Sequence, residues 1–342
     1  MTVEAEKAVE DKRGGIASLL RNWLDGRSDA ASVGTTALML VALILLFYSV
    51  NERFISMRNI VILLNQSAAY IILGVGMTLV IAIKGIDLSI GAIVAVCGMV
   101  LGVLLVSNDF PVWVAISAAI AAGAVCGAVN AFCIANLRVP ALVTTLGTMV
   151  LFRGVAYVVL EDNILFRYPE QLLWFARGRI FGFAPAVYIA AIAVIFGFVL
   201  LNHTRFGKHV IAVGGNAEAA RLSGINIRRV QFLVFTLMGV ASSFAAIIWV
   251  ARLNSTQASV ALGVEFHTIA LVVLGGTSLF GGKGLIVGSL LGALILSVLE
   301  NGLAITGISS FVQQTLIGLI FITVVALRTL QARGASLADE PM

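Results

Sequence analysis

Charge is what this sequence has least of. Of its 342 residues, 11% are Asp, Glu, Lys or Arg and 60% are apolar. A soluble domain carries about 25% charged and roughly 45–50% apolar residues. A chain this poor in charge cannot cover a core with polar surface, which excludes a soluble globular enzyme. Cysteine is also scarce. Cys97, Cys126 and Cys133 lie in apolar stretches, without a paired framework or Cys/His metal spacing, so they read as packing residues and no metal site is expected. The histidines are His203, His209 and His267; they are scattered and are assigned no chemistry. There is no nucleophile–base pair, no HExxH and no Gly-Lys-Ser/Thr, so neither catalysis nor nucleotide binding is expected of this chain. The basic residues sit in short loops rather than on one face, which argues against nucleic acid.

What the sequence has in quantity is long apolar runs. A membrane-crossing helix needs about 20 mostly apolar residues. Ten candidates occur, at 33–50, 60–83, 88–107, 112–136, 141–160, 184–202, 229–251, 267–280, 285–304 and 308–327. The expected organisation is a segment 1–32, a single membrane domain 33–327 and a tail 328–342. Residues 16–24 suggest a short interfacial helix. The eighth span is short and Gly-rich, so it either crosses or enters and turns back.

Lys and Arg orient the spans. With the N-terminus cytoplasmic, fifteen basic residues fall inside and six outside, which predicts both termini inside. The loop 161–183 is then periplasmic and 203–228 is the longest cytoplasmic loop.

An internal echo links the halves. Residues 85–95, GIDLSIGAIVA, align with 263–273, GVEFHTIALVV, bringing Gly85 to Gly263 and Asp87 to Glu265. A weaker echo pairs 140–145 with 310–315. Five spans separate the stronger copies, so they point opposite ways, as in the inverted repeats of transporters.

Asp87 with Ser89, and Glu265 with Thr268, sit at span starts, where a carboxylate caps a helix or serves a gate. Asn65, Gln66, Asn130, Thr144, Thr145, Gln313 and Gln314, with Asn301, lie in or beside spans. They act as helix glue, or together line a path for a neutral hydroxylated solute. Arg153 and Glu300 are expected to face the interior and to pair, because lone intramembrane charges are costly. In the long inner loop, Asn216 reads as an N-cap, Glu218 as first turn and Gly224 as a stop, which brackets a two-turn helix. This is either a solvated connector or a coupling helix.

These stretches resemble the permease subunit of bacterial ATP-binding-cassette importers for monosaccharides, the ribose, xylose, arabinose and galactose group. The resemblance rests on Gly85-Ile86-Asp87-Leu88-Ser89-Ile90-Gly91, on Pro140 to Thr148 with Phe152-Arg153-Gly154, on Gly207 to Gly224, on Gly275 to Gly284, and on Glu300-Asn301-Gly302 with Gln314. It implies an all-α polytopic fold like the vitamin-B12-type importer permeases, with about ten helices and inverted halves, in the inner membrane. It also implies a second permease subunit, identical or sister, a periplasmic sugar-binding protein docking on loops that include 161–183, and a cytoplasmic ATPase that binds the ATP and Mg. The loop 204–225 becomes the ATPase contact, with Gly207, Gly214, Gly215, Asn216, Ala219, Ala220 and Gly224 as contact residues. The competing expectation is an ion-gradient-driven secondary transporter, which would want acid–base relays at the midplane.

Overall fold

The computed structural model describes residues 29–161, 163–320, 322, 323 and 326. Most of the expected segment 1–32, its helix at 16–24 and the tail 328–342 lie outside the described residues.

The elements follow the apolar runs. They are α1 (Asp29–Val50), α2 (Met57–Ala82), α3 (Ile90–Gly102), α4 (Val112–Ala135), α5 (Ala141–Leu160), α6 (Glu170–Arg177), α7 (Pro185–His203), α8 (Arg205–Gly215), α9 (Ala217–Leu222), α10 (Ile227–Leu253), α11 (Val264–Leu274) and α12 (Ile286–Ile305). A further apolar helix, α13, covers Ser310–Ile320. Among the described residues eight helices are long and apolar enough to cross a membrane, α3 being counted with its π-helical continuation to Ser107. This is a multi-pass membrane protein.

Local chemistry fixes the boundaries. Pro111, Pro140 and Pro169 stand immediately before α4, α5 and α6, and Pro185 opens α7. Proline suits these places because the first helical N–H groups have no intrahelical acceptor. Ser56 and Thr204 accept from the N–H groups of Asn59 and Gly207 to start α2 and α8.

One predicted span comes out short. Instead of a helix over 267–280, α11 has 11 residues, and Gly275 to Leu285 form an irregular loop. At 1.5 Å per residue α11 is about 16 Å long, against about 40 Å for the 27-residue α10. Of the tenth span, expected at 308–327, Ser310–Ile320 is helix, residues 322, 323 and 326 are helical too, and the rest of its C-terminal part lies outside the described residues.

The core is built on α2, α3, α10 and α12, the most buried of the long helices. α4 lies against α10 through glycine. A Cβ at Gly127 would sit 2.5 Å from the Phe235 carbonyl oxygen, and one at Gly239 would overlap the Gly123 carbonyl. Backbones that approach this closely gain van der Waals contact where lipid supplies no hydrophobic drive.

At one end of the bundle, β1 (Leu165–Phe166) pairs antiparallel with β2 (Ser255–Thr256). The segment between α5 and α7 is therefore tied down. α6 buries Leu172, Leu173 and Ala176, and Tyr168 N–H donates to Asn254 Oδ1 at 3.1 Å. The opposite end carries α8 and α9.

Candidate functional site

The two echo segments meet in space. Gly91, the second residue of α3, packs against the start of α11. A Cβ there would lie 2.5 Å from the Ala261 carbonyl oxygen and 2.8 Å from Glu265 Oε2. From this junction the helices diverge. α3 ends beside Leu165, Tyr168 and Thr256 at the β end, as the contacts of Gly98 and Gly102 show. The chain after α11 reaches Ala82, Lys84 and Gly214 at the α8–α9 end. Both are preceded by non-helical backbone and their N-termini face one another, with Asp87 and Glu265 both buried at the junction; α11 is a half-helix, whereas α3 runs on to Ser107.

Buried non-helical backbone must find hydrogen-bond partners, since no solvent supplies them. α5 provides them for both leading segments. Thr145 Oγ1 donates to the Ile86 carbonyl at 3.1 Å, and Arg153 Nη1 donates to the carbonyls of Ala258 and Val260 at 2.6 and 2.7 Å. One helix thus stitches the approach to α3 and the approach to α11.

Asp87 does not cap α3 as expected. The N-cap is Ser89, whose side chain caps nothing. Ser89 instead donates to Asp87 Oδ1 through both N–H (2.9 Å) and Oγ (2.6 Å). The chain of donors continues outward. Asn130 Nδ2 donates to Ser89 Oγ at 2.8 Å, and Thr148 Oγ1 donates to Asn130 Oδ1 at 2.6 Å. All four residues are buried, and α3, α4 and α5 each contribute. Asp87 Oδ2 has no hydrogen-bond partner among the described residues, nor has the buried Thr144 Oγ1. Glu265 lies in the first turn of α11, whose N-cap is Gly263 with φ +81°; Thr268 Oγ1 donates back to the Val264 carbonyl.

Arg153 and Glu300 do not meet, which corrects the expected pair. Arg153 spends its hydrogen bonds on the segment before α11, and the acid within its electrostatic reach is Glu265. Glu300 lies beside His267, Oε1 to Nδ1 3.2 Å. The His267 ring stacks on Tyr70 at 5.8 Å, and Tyr70 meets Trp249 edge-on at 5.4 Å. Sequence reading gave His267 no role, although it lies two residues beyond Glu265 on the same half-helix.

The remaining pathway residues divide. Asn130 and Thr145 join the Asp87 cluster, and Thr144 is adjacent in sequence. Asn65 is tied to α6, its Nδ2 donating to the Ala176 carbonyl at 2.8 Å. Gln66 is half-buried, Gln313 donates to the Ile308 carbonyl next to its own helix, and Gln314 lines a cavity beside Gly263 and His267. Asn301 is glue, accepting from Asn59 Nδ2 at 2.8 Å.

The long loop is more ordered than a bracketed short helix. α8 precedes α9, and Asn216 caps α9 by accepting from Ala219 N–H at 3.0 Å. Gly224, at φ +83°, ends it. Glu218 pairs with Arg221, which holds the carboxyl below its ordinary range. The expected contact residues separate by burial. Gly207, Gly214 and Ala220 are buried, and so cannot be presented to a partner. A Cβ on Gly207 would overlap the Leu201 carbonyl. A Cβ on Gly214 would overlap the Ala82 carbonyl, which itself accepts from Gly282 N–H at 3.0 Å. Gly215, Asn216, Ala219 and Gly224 are exposed, and the apolar Leu222 at the end of α9 is 76% exposed.

Comparison with known proteins places this geometry. Residues 59–325 match the family model described as branched-chain amino acid transport system / permease component. The chain belongs to this family. As a permease component it is not an enzyme. The permease is 43% identical over 278 residues to the ribose import permease protein RbsC of Escherichia coli (strain K12), covering 80% of this chain and 86% of the relative. It is 35% identical over 273 residues to that organism's L-arabinose transport system permease protein AraH, covering 80% and 82%. The D-allose transport system permease protein AlsC of the same strain is 32% identical over 294 residues, covering 85% and 90%. No solved structure matches the permease.

Proposed function

We propose that this chain is the membrane subunit of an ATP-driven importer that carries a sugar or sugar-like polyol across the bacterial inner membrane. The carrying observation is the 43% identity to a ribose import permease over four-fifths of the chain. The arabinose and allose relatives extend the same class. The ion-gradient alternative finds no counterpart among these relatives.

The proposed topology has ten crossings with both termini cytoplasmic. Eight of the crossings are the long helices, and the other two are made by the shorter α11, with the loop that follows it, and by the segment that begins with α13. The basic loops fall on the α8–α9 side, and the β1–β2 end faces the periplasm. The fold is that of the vitamin-B12-type importer permeases, with residues 33–327 as one domain.

A separate ATPase binds ATP and Mg and docks on α9. Its contacts are Gly215, Asn216, Ala219 and Gly224 together with Leu222, an apolar side chain left in the open. A periplasmic binding protein docks over 161–183, where Phe166, Trp174 and Phe181 are exposed. A second permease packs along α5. There Gly147 and Gly154, where an added Cβ would meet nothing within 4 Å, lie among exposed Leu142, Val150 and Val158. Closure of the paired ATPases moves α8 and α9, and the approaches to α3 and α11 open and close in turn. The solute's hydroxyl groups find acceptors at Asp87 Oδ2 and Thr144 Oγ1.

Reconstitution with the neighbouring ATPase and binding protein tests this. Labelled-sugar uptake should require ATP and the binding protein. Uptake that persists without ATP and follows a proton or sodium gradient overturns the reading.

A further inference from the structure

The largest of the cavities described sits at the α8–α9 end. It has a volume of about 850 Å³ and is enclosed by the α2–α3 turn, the α4–α5 turn, α9 and the start of α10. Lys84, Arg138, Arg221 and Arg228 line it, and no Asp or Glu does among the described residues. Gln231 and Asn226 add neutral polar groups. The retention of positive charge on inner loops accounts for cations on this face. It does not account for four of them, from four separate elements, converging around one concavity, where like charges raise each other's energy unless an anion joins them.

The four are not equivalent. Arg221 is already paired with Glu218, and Lys84 Nζ donates to the Gly215 carbonyl at 3.2 Å. Arg138 and Arg228 have neither an ion-pair nor a hydrogen-bond partner among the described residues. Two of the cations sit on unusual backbone. Lys84 has φ +63° and Arg138 φ +59°, positions that glycine would occupy without strain. Both stand just past the ends of helices, where Glu161 and Asn254 adopt the same left-handed conformation after α5 and α10. The cavity also receives the N-terminus of the 20-residue α5, whose N-cap Pro140 offers no side-chain acceptor. Its leading N–H groups add donors and a positive dipole end at the same wall.

We propose that this cavity binds a phosphate-bearing anion, gripped chiefly by Arg138 and Arg228, with Lys84 and Arg221 adding positive charge along its wall. Guanidinium forks match phosphate oxygens in pairs, which suits two free arginines facing one concavity. Two sources carry that chemistry: the headgroup of an anionic phospholipid, for which basic pockets beside membrane helices are a known solution, and a soluble phosphate ester. Its location on the cytoplasmic side rests on the orientation proposed above; binding does not.

The test uses the full-length permease in nanodiscs of phosphatidylcholine, with or without phosphatidylglycerol. Native mass spectrometry reads retained phosphatidylglycerol, and calorimetric titration reads inorganic phosphate and glucose 6-phosphate. One of the two arms should show binding that R138Q/R228Q weakens by about ten-fold or more, the scale expected for losing charge-assisted bonds. R229Q, on the same turn of α10 but outside the cavity, should leave it unchanged. Retained lipid with silent titrations identifies the headgroup, and the reverse identifies a soluble ester. Both arginines are exposed, so an unchanged melting temperature should accompany the double variant; if it falls, R138Q alone carries the test. Binding of neither probe overturns the proposal, as does equal weakening by R229Q. So does a double variant that loses only ATPase co-purification while binding the probes normally. Because no transport is measured, failure here is separate from failure of the importer assignment.

Discussion

His267 Nδ1 lies 3.2 Å from Glu300 Oε1, and this contact joins the half-helix α11 to the full-length α12. Both side chains are largely buried, at 19% and 12% exposure. Removing one partner strands a polar group in a place with little water, so the two substitutions should not add. In a double-mutant cycle, H267A and E300Q should show an interaction of roughly 0.5–3 kcal/mol in thermal unfolding of the solubilised protein. R153M combined with E300Q should be additive within about 0.5 kcal/mol, because those side chains share no partner. Coupling of Arg153 to Glu300 would contradict the geometry.

Arg153 donates to two carbonyls of the segment before α11, those of Ala258 and Val260. R153M should destabilise by roughly 2–5 kcal/mol, since each buried acceptor left unpaired costs about 1–3 kcal/mol. T145V removes one such bond at Ile86 and should cost less. Both can be read as melting temperatures in detergent. A neutral R153M would mean that the segment before α11 finds other donors.

Asn130 stands in the middle of the donor chain from Thr148 to Asp87. N130L leaves Ser89 Oγ short of a donor and Thr148 Oγ1 with only its longer bond to the Thr145 carbonyl at 3.4 Å, so it should cost more than T148V, which ends the chain at its last link. The expected order is about 2 kcal/mol or more against about 1 kcal/mol. Equal losses in both variants would show that the chain does not act as drawn.

Gly214 and Gly215 are neighbours with opposite surroundings. G214V drives a side chain into the Ala82 carbonyl and should abolish folding or lower expression sharply. G215V meets nothing within 4 Å within the chain and should fold normally. It should nevertheless reduce ATPase co-purification. Normal association of G215V would remove α9 from the docking surface.

Much of the fold was legible in the sequence, for identifiable reasons. Apolar length marked the eight long spans, because that signal is local, whereas the short α6 behind Pro169 lay inside a segment read only as a loop. The junction of α3 with α11 was foreshadowed by the pairing of Asp87 with Glu265, but not its contact through Gly91, which depends on how far extended backbone penetrates the bundle. The assignment of Arg153 to Glu300 failed for the same reason. Counting charges supposes that an ion seeks an ion, whereas non-helical carbonyls at Ala258 and Val260 offered the arginine a nearer alternative. Asn216 and Gly224 were read correctly because caps act within a few residues. The burial of Gly207, Gly214 and Ala220 was not legible, since it depends on where α8 lands against α2.

Where α8 lands has a mechanical consequence. At Ala82, Gly214 and Gly282 three main-chain segments touch without intervening side chains, and Lys84 fastens the same spot to Gly215. Side chains between two moving parts allow rotamers to absorb small displacements, and such a joint has play. This one has almost none. The α8–α9 loop, the segment leading to Asp87 and the segment leaving α11 therefore share one main-chain contact point, and a tightly packed contact of this kind transmits strain rather than absorbing it.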